Sequence, residues 1–171
     1  ATLAFDSEFA LFLEPVMSLD DFRTIVVAVD FTRDSCEAVQ EAFVLGKQLE
    51  SRLHLVHVVH EPTEDLSVRS KKKEIRKVMR PVLEEAADRM KAFVKEHDLV
   101  KQAKQGKVGL ETVVVHGMPA SQIVHVAKKL KAGMIIMGYS GTTGIANLLP
   151  GATTEKVLQL AEIPILVVRK R

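Results

Sequence analysis

The sequence predicts an α/β fold, a doubly wound five-stranded parallel sheet with helices on both faces. Three observations predict it. Strand-like and helix-like segments alternate along the chain, which is typical of sheets with right-handed crossovers. The strand-like runs are short, β-branched and almost continuously apolar, as in strands that are buried on both faces. The 171 residues contain no internal repeat or low-complexity linker, so a single domain is expected.

The first half of the chain predicts two strands and two helical regions. The runs TIVVAVDF (Thr24 to Phe31) and LHLVHVV (Leu53 to Val59) are the first and second strands. Between them, SCEAVQEAFVLGKQLES spaces its apolar residues as a helix with one buried face does. A long charged region from about Asp65 to His97 predicts a further helix, interrupted by Pro81 because proline lacks a backbone donor.

The second half predicts three more strands, each separated by a helix. LETVVVHG (Leu110 to Gly117) is the third strand, MIIMG the fourth and PILVVRK the fifth. PASQIVHVAKKLKAG (Pro119 to Gly133) predicts a helix that is closed by glycine and has lysines in its last turn. TEKVLQLAEI predicts the last helix, between the fourth and fifth strands.

Composition and charge exclude several classes of protein. The chain is 47% hydrophobic and 27% charged, which is typical of globular domains, and no apolar run approaches the roughly 20 residues of a membrane span. Basic residues are dispersed among nearly as many acids, for a net charge of +2, so nucleic-acid binding is not expected. The single cysteine, Cys36, excludes an internal disulfide and indicates a reducing, cytoplasmic location. We expect it to be a small buried residue on the first helix rather than a reactive thiol.

The N-terminus predicts an extension, residues 1–22, ahead of the domain at 23–171. It resembles a secretory signal only superficially, because it has no basic region and carries Asp6, Glu8 and Glu14 among apolar residues. We expect this extension to pack on the domain or on a neighbouring molecule.

The loop after the fourth strand has the chemistry of a phosphate site. In doubly wound sheets, ligands bind beyond the carboxyl ends of the strands, where the strand order reverses. The stretch MGYSGTTGIANLLPGATTEKV (Met137 to Val157) lies there and carries Gly138 and Gly141, which allow a tight turn with positive φ. Gly151 begins the next helix, so its N–H and those that follow could point at an anion. The loop matches neither the P-loop nor the dinucleotide motif.

The spacing Gly138-x2-Gly141-x9-Gly151, after IIMG and before a helix and PILVV, resembles the loop of the universal stress protein family. Three further segments resemble this family, namely IVVAVDFT, LHLVHVV and VVHGMPASQIVHVAKK. The resemblance covers the chain from about Arg23 to Arg169.

The resemblance implies a Rossmann-like domain, similar to the adenine nucleotide alpha hydrolases, that is usually a homodimer and often binds ATP. It implies a stress-response regulator that acts as a nucleotide-dependent switch, with Mg²⁺ carried by the phosphates. An aspartate after the first strand would lie by the nucleoside, a valine in the second strand would contact adenine, and loop glycines and hydroxyls would line ribose and phosphates. The corresponding positions are Asp30, Val58, His116, Gly117, Met137, Gly138, Ser140, Gly141, Gly151, Ala152 and Thr153. Pairing of the last strand, from Ile165 to Arg169, would form the dimer, since an edge strand has unpaired backbone groups.

Two of these positions are open to more than one interpretation. Ala152 stands where the family usually has serine or threonine, and one lost charge-assisted hydrogen bond removes about 1.5–3 kcal/mol. ATP binding would then weaken tenfold or more unless Thr153 or Thr154 donates instead. Asp30 could contact the ligand or cap the first helix, and the segment DFTRDS could also cap that helix through Thr32 or Asp34.

The sequence gives less support to other functions. His54, His57 and His60 alternate between the two faces of a strand, so they cannot bind one metal ion together. His60 and His116 could line the pocket mouth. No general base is evident, so we expect no enzyme beyond a weak ATPase. An adenylyl-transferring relative would need glycine after the first strand, where VDFTRDS has none. The main alternative is an interaction module of the same family that binds no nucleotide.

Overall fold

The computed structural model describes residues 17–60, 72–139 and 150–169, with side chains of the helix that starts at residue 72 described from residue 79. The described elements are a 3₁₀ turn Leu19–Arg23, β1 Thr24–Ala28, α1 Arg33–Leu49, β2 Arg52–His60, α2 Lys72–Glu96, α3 Leu99–Gly106, β3 Gly109–Gly117, α4 Pro119–Lys129, β4 Met134–Gly138, α5 Ala152–Leu160 and β5 Ile165–Val168. Within the described ranges, no helix is both long and apolar enough to cross a membrane.

The strands form one parallel sheet in the order β3-β2-β1-β4-β5, which confirms the predicted doubly wound fold. From β1 the chain moves outward to β2 and β3, and it then crosses back to place β4 on the other side of β1. The strand order therefore reverses between β1 and β4, where Val27 pairs with Ile136. A crevice beyond the carboxyl ends of these two strands is the expected position of a ligand.

Helices cover both faces of the sheet, and this explains the continuous apolar runs. Alternate residues of β1 point to opposite faces, and Ile25, Val26 and Val27 are all fully buried. Ile25 and Val27 pack with residues of α1, α2 and α3, such as Phe43, Met90 and Leu99. Val26 packs on the other face with α4 and α5, against residues such as Ile123 and Val157. Each face has its own core, as expected for a parallel sheet.

Several predicted boundaries differ from the observed ones. The first strand ends at Ala28, not Phe31, because Phe31 adopts φ +63° and turns the chain toward α1. The helix predicted to reach Gly133 ends at Lys129, and Lys131 is left-handed with φ +51°. The last strand is limited to Ile165–Val168.

The helical region after β2 differs most from the prediction. Pro81 does not interrupt α2, which continues through it to Glu96. A proline removes one backbone hydrogen bond, and the helix nonetheless continues because its later turns bury Met90 and Phe93 in the core. Helix α3 was not predicted. It lies between Asp98 and Lys107, both left-handed, and buries Leu99 and Ala103 at a helical spacing of four.

The 3₁₀ turn before β1 packs against the amino-terminal end of the sheet. The Ser51 hydroxyl donates to the Phe22 carbonyl at 2.6 Å, and Arg23 forms an ion pair with Glu50 at the end of α1. A Cβ on Gly133 would lie 1.9 Å from the Asp21 carbonyl oxygen, so only glycine fits there. Asp21 and Phe22, which the prediction placed in the N-terminal extension, therefore pack against the domain.

Candidate functional site

The segment after β1 is organised by Asp30. Its Oδ1 accepts hydrogen bonds from the backbone N–H of Thr32 at 3.0 Å and from the Thr32 hydroxyl. The Thr32 hydroxyl oxygen in turn accepts from the N–H of Ser35 and caps the first turn of α1. Thr32, one of the two local caps that the sequence suggested, therefore caps α1, and one carboxylate oxygen of Asp30 holds that cap in place. A ligand contact through the other oxygen stays a prediction.

At the end of β4, Gly138 lies directly against the first turn of α1. A Cβ at Gly138 would be 2.8 Å from the backbone carbonyl carbon of Asp34 and 2.9 Å from its Cβ. The sequence predicted this glycine for a turn with positive φ, but its φ is not positive. Glycine is required here because the backbones of β4 and α1 approach each other closely.

Helix α5 begins beside the end of β4 and is held there by two hydrogen bonds. The N–H of Gly151 donates to the carbonyl of Tyr139 at 2.9 Å, and the hydroxyl of Thr154 donates to the carbonyl of Gly138 at 3.1 Å. The expectation that the Gly151 N–H points at an anion is therefore wrong in this arrangement. The next three N–H groups, from Ala152 to Thr154, have no acceptor within the helix and carry its partial positive charge.

The hydroxyls of the first turn of α5 are not equivalent. Thr154 is 3% exposed and its hydroxyl already donates to Gly138, so it does not replace the missing hydroxyl at Ala152. Thr153 is half-buried and Ala152 is exposed. Of the two threonines that the sequence suggested as substitute donors, Thr153 is the one that remains.

The remaining predicted positions are spread along the carboxyl edge of the sheet. Ser140 and Gly141 lie outside the described residues. Met137 is 4% exposed and packs in the α4–α5 core, so a ligand can reach only its backbone. Val58 of β2 packs against the same core.

On β3, two strands away from β1, Gly117 has φ +132°, and a Cβ there would be 2.9 Å from Gln122. His116 alternates with Val115, which packs on the α4–α5 core, so its side chain points to the opposite face from Val58. The structure thus brings Asp30, Gly138 and the start of α5 together, but it does not bring His116 to them.

A charge lies near the start of α5. Arg169 follows β5, and its guanidinium carbon lies 4.8 Å from the centre of the Tyr139 ring. Its positive charge therefore sits at the same edge of the sheet as the helix N-terminus. The helix N-terminus favours an anion at this edge.

The sequence did not predict a cluster of rings on the α1–α2 face, directly behind Asp30. The ring of Phe31 lies 4.4 Å from that of His57 and 5.6 Å from that of Phe93, and the guanidinium carbon of Arg89 lies 4.4 Å from its centre. Nδ1 of His57 donates to the carbonyl of Val29 at 2.7 Å. Burial lowers the pKa of His57, which favours the neutral ring. The cluster ties α2 to the turn that carries Asp30.

The predicted alternation of His54 and His57 between the two faces of β2 is confirmed, and Cys36 lies on the first helix as predicted but is only half-buried. On β2, His57 faces Phe31, whereas Nδ1 of the buried His54 lies 3.5 Å from Oε2 of Glu111 on β3. Among the described residues, no three metal-binding side chains come together. Cys36 lies half-buried on α1, and burial raises the pKa of its thiol, which disfavours a reactive thiolate.

Comparison with known proteins places this chain in a family. Residues 21–169 match the Universal stress protein family. The chain is 30% identical over 150 residues to universal stress protein MJ0531 of Methanocaldococcus jannaschii, covering 87% of this chain and 83% of that protein. The structure of UspA from Lactobacillus plantarum superposes with a TM-score of 0.63 over 86% of this chain and 98% of the other, at 24% identity, which supports the same fold.

Two more distant neighbours were solved with nucleotides. A universal stress protein in complex with cAMP has a TM-score of 0.54 at 21% identity, over 86% of this chain and 97% of the other. The universal stress protein of Archaeoglobus fulgidus in complex with dAMP has a TM-score of 0.52 at 18% identity, over 85% and 97%. The family match over nearly the whole domain, together with this fold, shows that the chain belongs to the universal stress protein family.

Proposed function

We propose that this chain binds an adenine nucleotide in the crevice between β1 and β4, with the phosphates at the start of α5. The observation that carries the proposal is the attachment of α5 to the end of β4 through Tyr139 and Gly138. This attachment fixes three N–H groups, which have no acceptor among the described residues, at the point where the strand order reverses. The cAMP and dAMP complexes of two family members support an adenine nucleotide as the ligand class.

Within this proposal the residues have separate roles. Backbone N–H groups of Ala152 and Thr153 donate to a phosphate, and the Thr153 hydroxyl supplies a further donor. Val58 and Met137 belong to the α4–α5 face. The adenine would pack against Val58 and the backbone at Met137, and the second carboxylate oxygen of Asp30 would contact the nucleoside. Ser140 and Gly141, which the family resemblance also assigns to the phosphate site, lie outside the described residues. ATP is the proposed ligand, with Mg²⁺ bound through its phosphates.

We further propose that nucleotide state controls a homodimer that pairs through β5. In the described sheet β5 pairs with β4 on one side only, so its other edge can receive the same strand from a second copy. The protein then acts as a stress-response switch in the cytoplasm, where its single thiol at Cys36 is kept reduced. Hydrolysis is at most slow in this proposal, because the carboxylate of Asp30 already accepts two hydrogen bonds from Thr32 through one oxygen.

The first test is to denature protein purified without added nucleotide and to identify released molecules by mass spectrometry. Near-stoichiometric ATP or ADP would support the site, and calorimetry with Mg-ATP, ADP, cAMP and AMP would then rank the ligands. If none of these ligands binds, the proposal is wrong.

The position of the phosphates is tested by Ala152→Ser, since a hydroxyl at this exposed first-turn position adds one donor to a charged group. Affinity for ATP should tighten about tenfold. Ala92→Ser, at an exposed position on α2, is the matched control and should leave the affinity unchanged. An unchanged affinity in Ala152→Ser would mean that the phosphates lie elsewhere.

The alternative is a family member that acts as an interaction module without nucleotide. The observation in its favour is the absence of a hydroxyl at Ala152 combined with the use of the Thr154 hydroxyl by Gly138. An empty protein that gains ATP binding in Ala152→Ser would support this alternative, because it would show a site that is correctly shaped but lacks one donor.

A further inference from the structure

A groove on the α2–α3 side of the molecule, independent of the nucleotide crevice, has an unusual combination of surfaces. It has a volume of about 630 Å³ and lies between the end of α2, helix α3 and the edge strand β3. Val94 and Val100 contribute apolar surface, and Val100 is 51% exposed. Lysines surround it from both helices. We call it the lysine groove, after Lys91, Lys95, Lys101 and Lys104.

The charge of the lysine groove is largely uncompensated. Lys91 forms an ion pair with Asp88 at 2.8 Å, but Lys95, Lys101 and Lys104 have no ion-pair partner among the described residues. Asp98 is the one acidic residue among those that line it. An occupant should therefore be acidic and apolar at once. The lining residues include no aromatic ring, which disfavours single-stranded nucleic acid.

Residues 1–16 of this chain have that composition. They contain Asp6, Glu8 and Glu14 and no lysine, arginine or histidine. Most of the others are apolar, among them Phe5 and Phe9. We propose that residues 1–16 occupy the lysine groove of their own chain, with the phenylalanines on the valines and the carboxylates beside the lysines.

The geometry of the sheet allows this within one chain. The described chain enters through the 3₁₀ turn, which is bound to the end of α1 by the Arg23–Glu50 ion pair. A Cβ at Gly46, in the last turn of α1, would be 3.3 Å from Val108, which links α3 to β3, so the turn and the groove lie at the same end of the sheet. From β1 across β2 to β3 is two strand spacings, roughly 10 Å. Sixteen residues can extend up to roughly 50 Å, which is ample.

The test is carbodiimide cross-linking of the full chain, which joins a carboxylate to an amine in direct contact. Equal amounts of ¹⁴N- and ¹⁵N-labelled protein are mixed, cross-linked, digested with trypsin and analysed by mass spectrometry. The first tryptic site follows Arg23, so all three carboxylates lie in one peptide that fragmentation can map. The expected result is cross-links from Asp6, Glu8 or Glu14 to Lys95, Lys101 or Lys104 that carry a single isotope label.

Charge reversal tests the contact itself. The double variant Lys95→Glu with Lys101→Glu should lower the yield of cross-links to Lys104, which keeps its amine, about fivefold or more, the scale set by loss of one exposed ion pair. Adding Asp6→Lys with Glu8→Lys should restore cross-links between the same positions. Lys128→Glu with Lys129→Glu, an exposed pair on α4 across the sheet, is the matched control and should change nothing.

Three outcomes would overturn the proposal. Cross-links that carry mixed isotope labels would assign the groove to the N-terminus of a second copy. Cross-links that reach only lysines outside the groove, or no cross-links, would exclude the segment as the occupant. Co-sedimentation with anionic phospholipid vesicles, lost in the Lys95→Glu, Lys101→Glu variant and without the cross-links, would assign the groove to a membrane surface.

Discussion

Replacing Gly138 with alanine should destabilise the protein and weaken ligand binding together. A Cβ at this position would lie 2.8 Å from the carbonyl carbon of Asp34 and 2.9 Å from both its carbonyl oxygen and its Cβ. Ordinary contacts between such atoms are about 3.5–4.0 Å, so β4 and α1 would have to separate by up to roughly 1 Å. The atoms it meets are backbone or Cβ of a capped first turn and cannot rotate away.

The expected loss of stability is about 1–3 kcal/mol, the usual cost of overpacking. Because the displaced turn carries Asp30 and Thr32 at the crevice, affinity for the nucleotide should fall in the same variant. Urea unfolding followed by circular dichroism measures the stability, and calorimetry measures the affinity.

Gly109→Ala is the matched control, because it also adds a methyl group to a strand glycine. There the nearest atoms are Cγ of the exposed Arg52 side chain, at 3.0 Å, which can rotate away, and its Cβ, at 3.2 Å, which has to shift by only a few tenths of an ångström. We expect a change within about 0.5 kcal/mol, or a small gain from lower entropy of the unfolded chain. If Gly138→Ala is as stable as Gly109→Ala, the close approach of β4 and α1 does not exist in solution and the account of the crevice is wrong.

Three further predictions follow from single contacts. Thr154→Val should cost about 1–3 kcal/mol in urea unfolding, because it leaves the carbonyl of Gly138 without its hydroxyl donor in a buried place. His57 has a pKa lowered by burial, so the unfolded chain takes up its proton first as the pH falls. The neutral His57 ring therefore stabilises the fold fully above about pH 6.5, and this stabilisation is lost as the pH falls from 6.5 through the pKa of the folded state. The free energy of unfolding of His57→Gln should consequently depend less on pH between about pH 7.5 and 5.5. Glu111→Gln should lower the pKa of His54 further, as measured by NMR titration, because burial already lowers it and the Glu111 charge opposes that shift.

Each of these predictions has an outcome that contradicts it. A Thr154→Val variant as stable as Thr153→Val would mean that the hydroxyl contact contributes nothing. A His57→Gln variant with the parent's pH profile would assign the acid sensitivity to other groups. An unchanged or raised His54 pKa in Glu111→Gln would mean that the 3.5 Å approach does not persist in solution.

The sheet could be predicted from sequence because its signals are local. Five apolar runs, each followed by a turn, define the strands, and glycine-rich turns define the carboxyl edge. The prediction that Pro81 interrupts α2 was wrong because the helix beyond the proline is stabilised by the burial of Met90 and Phe93. This burial is a tertiary effect that the local sequence does not show. Helix α3 was missed because it has only eight residues. Its buried face consists of Leu99 and Ala103, and one pair at a spacing of four is too short a pattern to indicate a helix.

The candidate site was predicted less completely, because its contacts join distant parts of the chain. The spacing of Gly138 and Gly151 indicated a loop, but the Thr154 hydrogen bond that holds the two ends together spans 16 residues and uses a backbone acceptor. The contact of Phe31 with His57 likewise needs the register of β1 against β2. Neither the hydrogen bond of Thr154 nor the contact of Phe31 with His57 can be inferred from local sequence patterns.

Gly138 shows how one contact serves both the fold and the site. Its missing Cβ lets the first turn of α1 approach β4, and its carbonyl accepts the hydroxyl that positions α5. Two helix N-termini therefore converge on a single strand end. The positive ends of both helices then face the same crevice, and an anion there interacts with both. A substitution that relieves the close packing at Gly138 would also move these termini apart, so stability and ligand affinity cannot be changed independently at this position.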